Sequence, residues 1–135
     1  MEGKPVTVLI ESSIDGSCIA KSFDGEYAFR DDAHLVVYTD YTGNAITRNG
    51  MEIREEKLLL HRTGAMEGDM LFDLYSPTVF RYSAFPVKGE FILNTERYEL
   101  VVTDEGLRVG LQYRLCSENR SVDIEGMQTM TVMFL

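Results

Sequence analysis

The chain has 135 residues, 44% of them apolar and 26% charged, the ordinary balance of one globular domain over residues 1–135. Thirteen basic against 22 acidic residues leave a formal net charge of −9, and no two Lys or Arg residues adjoin. Such a surface repels phosphate backbones and anionic lipid, so the composition argues against a nucleic-acid partner and against a membrane.

The first apolar stretch, Val6 to Ile10, is five residues long and interrupted by Thr7. It is too short for the apolar core of an export signal or for a membrane span. Cys18 and Cys116 lie far apart in sequence, and without an export signal they read as reduced thiols of a cytoplasmic protein. A disulfide would require the fold to bring their strands together.

Period-two alternation dominates from the start of the chain, placing alternate residues on opposite faces of strands. Val6, Val8 and Ile10 alternate with Thr7, Leu9 and Glu11, and Asp15-Gly16 supplies the first turn. Asp31-Asp32 follows Tyr27 and Phe29, and Thr42-Gly43-Asn44 follows Leu35, Val37 and Thr39. Later runs close at Glu55-Glu56, Ser76-Pro77, Pro86 to Gly89, Asp104-Glu105-Gly106 and Ser117-Glu118-Asn119. The clearest alternation is Leu107, Val109, Leu111, Tyr113 and Leu115 against Arg108, Gly110, Gln112, Arg114 and Cys116.

These signals predict strands over 5–13, 17–30, 33–40, 45–54, 57–63, 65–75, 77–85, 89–103, 106–116 and 120–134. Asp24-Gly25 and Asn49-Gly50 read as glycine bulges inside longer strands, because two further turns would leave strands too short to pair. Ala65 to Tyr75 carries a helical stripe (Met66, Met70, Leu71, Leu74) as well as an alternating one. Gly68, with Gly64 just before the segment, weighs against the helix. About ten antiparallel strands must hide their sheet edges, and closure does this most completely. The expected fold is therefore all-β, a closed antiparallel barrel, with an open two-sheet sandwich as the alternative.

Several segments carry a resemblance. Glu52-Ile53, followed by Lys57-Leu58-Leu59-Leu60-His61-Arg62-Thr63-Gly64, resembles a "strand, acidic turn, strand, Arg-x-Gly" element. Arg81-Tyr82-Ser83-Ala84-Phe85-Pro86-Val87-Lys88-Gly89-Glu90-Phe91 resembles a "Tyr-x-Thr-x-x-Gly-x-Phe" hairpin. With Lys4-Pro5-Val6-Thr7-Val8 and Asp24-Gly25-Glu26-Tyr27, the chain is similar to the YwiB-like family of small bacterial β-barrels, related in shape to lipocalins and other calycins. The resemblance implies a calycin-like barrel in a bacterial cytoplasm and no particular activity. Ala84 stands where the family often has Thr, and the absence of Trp removes the Gly-x-Trp opening of true lipocalins.

Few residues suggest catalysis. Asp31, Asp32 and His34 lie close together, yet a polar turn entering a strand explains them, so no metal and no cofactor is expected. A cysteine and a histidine could be assembled into a nucleophile and base, but no spacing favours it, and the chain reads as a non-enzyme. The better functional reading is a small-molecule site inside the barrel. Arg62 shares parity with Leu58 and Leu60, and Arg97 with Phe91, Leu93 and Thr95. Tyr82 shares parity with Phe80 and Ala84, and Tyr113 lies on the apolar face of its strand. If these faces point inward, Arg62, Tyr82, Arg97 and Tyr113 offer cationic and phenolic donors to an anionic, partly apolar ligand. In the competing account the arginines reach solvent at strand ends or meet an internal Glu. The alternative function is a homodimeric interaction or scaffold module with a filled barrel, using the C-terminal run with Met127, Met130, Val132, Met133 and Phe134. An open, polar-lined interior favours the ligand reading, and a packed one the scaffold.

Overall fold

A computed structural model describes residues 3–84, 87–119 and 121–135. Ten strands account for nearly all of them: β1 (Lys4–Ile14), β2 (Ser17–Arg30), β3 (Ala33–Asp40), β4 (Thr47–Ile53), β5 (Lys57–Gly64), β6 (Gly68–Asp73), β7 (Thr78–Ala84), β8 (Val87–Thr103), β9 (Gly106–Cys116) and β10 (Asp123–Phe134). Among the described residues no helix is long and apolar enough to cross a membrane. The region Ala65 to Tyr75 is a strand at its centre, with Met70 and Phe72 buried on one face. Phe85, Pro86 and Arg120, at the ends of predicted strands, lie outside the described residues.

All ten strands form one antiparallel sheet in the order β6-β5-β4-β3-β2-β1-β10-β9-β8-β7. Each strand pairs with its sequence neighbour except where β1 pairs with β10. The two edge strands are therefore β6 and β7, which are consecutive in sequence. They meet at a bridge between Glu67 and Ser83, held by backbone hydrogen bonds of 2.8 and 3.0 Å. The Thr78 hydroxyl adds a bond to the Leu71 carbonyl at 2.6 Å. The sheet thus closes into the barrel that the alternation predicts.

The turns follow local chemistry. Asp15 and Gly16 take φ of 47° and 86°, and Asp31 and Asp32 take 52° and 61°. Two consecutive left-handed residues match the twist of the strands that a two-residue hairpin joins. Asp31 and Asp32 are thus turn residues, and His34 faces the other way, its Nδ1 2.7 Å from the Tyr27 hydroxyl.

Two expectations are corrected. Neither Gly25 nor Gly50 is a bulge: Gly25 pairs in register with Val6 and Tyr38, and Gly50 with Val37 and His61. Gly25 instead serves a close approach, because a Cβ there would sit 2.7 Å from the Val37 carbonyl oxygen. The bulge falls in β8, where the pairing with β9 shifts between Thr95 and Arg97. The extra residue is Glu96, and it reverses the facing of everything after it. Tyr98 and Leu100 then point inward, although the Leu93 and Thr95 parity would place them outside.

One end of the barrel is packed solid. Val6, Val36, Ile53, Leu58, Leu107 and Val132 are buried there, each contributing about 1.5–3 kcal/mol if fully removed from water. The Tyr27 and Phe134 rings meet at a tilt, 4.9 Å between centroids, with the Lys4 ammonium 3.7 Å from the centre of the Phe134 ring. Tyr98 reaches across the interior and donates its hydroxyl proton to the Arg54 carbonyl at 2.6 Å, closing the β4–β5 turn against β8.

Candidate ligand-binding cavity

At the opposite end the interior is open. A cavity of about 360 Å³ is walled by apolar side chains that include Ile10, Phe23, Met51, Leu60 and Met66. Its polar lining includes Tyr38, Thr47, Asn49 and Arg62. The strand faces explain this set. Val6 and Val8 fill the packed end of β1, and the same inward face continues through Ile10, Ser12 and Ile14 to the open end. Leu58 and Leu60 do the same on β5, so the next inward residue, Arg62, arrives where the packing stops.

Charge in the cavity is unevenly matched. Asp40 is the one carboxylate among the described residues lining it. It lies 3.9 Å from the Lys21 ammonium and accepts the Thr42 hydroxyl proton. Arg62 is half-buried, and among the described residues it makes no ion pair and no side-chain hydrogen bond. Lys21, Asp40 and Arg62 together leave the cavity with one net positive charge inside a protein of net charge −9.

The phenols respond to this setting. Burial pushes the Tyr38 hydroxyl up to about 12, opposed by the Arg62 guanidinium and assisted by Asp40. Burial also raises Tyr113, again opposed by Arg62. Both phenols therefore stay protonated at neutral pH and act as O–H donors beside the guanidinium. Tyr113 is held in place by Phe72, edge-on at 5.3 Å, and by Gly126 across the β9–β10 pair. A Cβ on Gly126 would fall 2.6 Å from the Tyr113 hydroxyl, so the absence of a side chain makes room for the ring. Thr95, the cross-strand partner of Tyr113 on β8, keeps a buried hydroxyl with no hydrogen-bond partner among the described residues.

The wall beside the cavity is thin. β2 pairs with β3 only from Gly25 to Arg30, so Ser17 to Asp24 are bonded to β1 alone. Phe23 and Tyr38, 4.7 Å apart, stand at the start of this seam. On the outer side lies a wider groove of about 930 Å³. It shares Phe23, Tyr38, Asp40 and Asn49 with the cavity and is otherwise lined by outward residues such as Asp24, Arg48 and His61. His61 there is engaged with Asp69. The inner cavity is the better ligand site because its walls surround a molecule more fully than the groove does and Arg62 has no ion-pair partner among the described residues.

The four sequence candidates separate. Arg62 lines the cavity, and Tyr113, outside its lining, lies within the electrostatic field of Arg62. Tyr82 is half-buried and packs edge-on against Phe80 at 5.8 Å, and it is not among the residues lining the cavity. Arg97 is corrected: the bulge turns it to solvent, where its guanidinium holds Glu99 at 2.7 Å. Sequence reading passed over Tyr38, Asn49 and Asp40. On β3 the apolar run Leu35-Val36-Val37 hides the facing. Val36 is fully buried and Val37 is 36% exposed, so the inward set is Val36, Tyr38 and Asp40.

Both thiols are free, Cys18 exposed and Cys116 buried beside Asp123 at 3.6 Å. Among the described residues no group of three or more His, Cys, Asp or Glu side chains is placed to hold a metal ion. Neither histidine bonds a cysteine among those residues.

Comparison with known proteins agrees with the fold and is silent on activity. No curated protein matches the sequence. The solved structure of YwiB protein from Bacillus subtilis superposes with a TM-score of 0.85 at 18% identity, covering 98% of this chain and 92% of that one. At that identity the likeness is one of fold, a calycin-like barrel. Residues 8–127 match the DUF1934 model, described as a domain of unknown function, and the chain belongs to that family.

Proposed function

We propose that this member of the DUF1934 family is a non-catalytic cytoplasmic barrel that holds a small, partly apolar anion at the open end of its interior, with Arg62 as the anchor. The observation that carries this reading is the half-buried guanidinium of Arg62, which pairs with no carboxylate among the described residues of a strongly acidic protein. A cation half-removed from water loses hydration, and an anion with a bidentate face restores it. Tyr38 and Tyr113 supply neutral donors beside it, and the apolar wall takes the rest of the molecule. The filled-barrel scaffold has less support, because the barrel is packed at one end only.

Native mass spectrometry of freshly purified protein tests the reading. The expected result is a mass adduct of a small acid on the native chain, released on acidification and absent from Arg62→Met. A clean mass at the same protein concentration, with no acid retained on either chain after incubation with a cell extract, would count against it. The same spectrum gives the subunit number.

A further inference from the structure

The dimensions and charge of the cavity narrow the ligand class further, resting on the reading above. We infer that the cavity takes a compact monocarboxylate of about 10–12 non-hydrogen atoms with an unsaturated ring or branched body, and neither a long-chain fatty acid nor a phosphate ester. Size sets the first limit. Water at liquid density occupies about 30 Å³ per molecule, so about 360 Å³ holds about 12 such units. The inner wall is filled by Leu60, Met51 and the packed core behind them, so a long chain cannot run deeper into the barrel and would trail its apolar tail out through the open end into water.

Charge sets the second limit. The cavity carries one net positive charge from Lys21, Asp40 and Arg62. A carboxylate brings one negative charge and two coplanar oxygens, which match the fork of a single guanidinium. A phosphate monoester brings about −1.5 to −2 at neutral pH, and its excess would face Asp40 without a second free cation. The phenol of Tyr38, pushed up to about 12, remains a donor and adds no charge of its own. Chemistry of the wall sets the third limit. Phe23, Met51, Leu60 and Met66 offer aromatic and thioether surface suited to a flat or branched body more than to a flexible chain.

Isothermal titration calorimetry on the full chain with four probes tests this: phenylacetate, phenylacetamide, palmitate and adenosine monophosphate. Phenylacetate should bind, phenylacetamide at least tenfold more weakly, and Arg62→Met should lower phenylacetate affinity at least tenfold. Arg62→Lys, which keeps the charge but loses the fork, should fall between native and Arg62→Met. Should palmitate or adenosine monophosphate bind through Arg62 while phenylacetate does not, the ligand class is wrong and the cavity reading survives. Absence of Arg62-dependent binding for every probe overturns the class and the cavity reading together.

Discussion

Removing one oxygen from Tyr98 probes the long-range closure of the barrel. Its hydroxyl donates to the Arg54 carbonyl at 2.6 Å and lies 3.2 Å from the Lys57 carbonyl, joining β8 to a turn more than 40 residues away. The Lys57 carbonyl already accepts the Arg54 amide at 2.9 Å. The Arg54 carbonyl is therefore the group left without its phenolic donor in Tyr98→Phe. Leaving this part-buried acceptor without its donor costs up to about 1–3 kcal/mol, whereas the ring itself stays packed. For 135 residues the unfolding entropy makes each kcal/mol worth about 3.5 °C, so the midpoint should fall by about 4–10 °C. The pH dependence should change as well. Burial raises the Tyr98 phenol in the folded state, so the folded protein holds this proton to higher pH than the unfolded chain does. Its stabilising contribution is complete below about pH 10 and is lost as pH rises through the folded value. Tyr38, pushed up to about 12, adds a second loss of the same sign. Urea melts at pH 7 and at several values above about pH 10 should show an alkaline decline that is smaller in Tyr98→Phe, with the Tyr38 share remaining. A variant within about 0.5 kcal/mol of the native protein at pH 7, with an unchanged alkaline decline, would refute the bond and the closure built on it.

Other consequences can be checked separately. The amides of Cys18, Ala20, Ser22 and Asp24 face away from β1 and meet no strand, so they should exchange with solvent much faster than those of Ile19, Lys21 and Phe23, as read by two-dimensional NMR. Arg97→Ala should leave binding intact and stability within about 0.5 kcal/mol, because its pair with Glu99 is a surface one; a loss of binding in calorimetry would return Arg97 to the site. A thiol reagent should label Cys18 in the native protein and Cys116 only on unfolding, and mass spectra showing equal labelling would contradict the burial of Cys116.

Strand positions were legible because a half-buried strand writes its facing into alternate residues. Leu107 to Leu115 is the clearest instance, with Leu107, Val109, Leu111 and Tyr113 all buried. The failures share a cause. Arg97 was misplaced because a single extra residue, Glu96, inverts parity without leaving a glycine or proline to mark it. Tyr38 and Asp40 were passed over because β3 is apolar on both faces, so alternation carries no direction there. Arg62 was placed inward correctly by Leu58 and Leu60 beside it. That the barrel packs at one end and opens at the other depends on how ten strand faces meet in space, and no local pattern encodes it. Nor could spacing reveal that Asp40 engages Lys21 and leaves Arg62 alone.

The stability of ligand-free Arg62→Met tests the central claim most directly, namely that this guanidinium has no internal anion. Breaking a buried ion pair strands a charge and costs about 3–5 kcal/mol, whereas replacing an uncompensated cation by an apolar chain of similar shape costs little. Urea denaturation of extensively dialysed native and variant chains should give unfolding free energies within about 1 kcal/mol of each other, or a small gain for the variant. A loss of about 3–5 kcal/mol would show that Arg62 answers a carboxylate of the protein itself, and the anion site would fall with it.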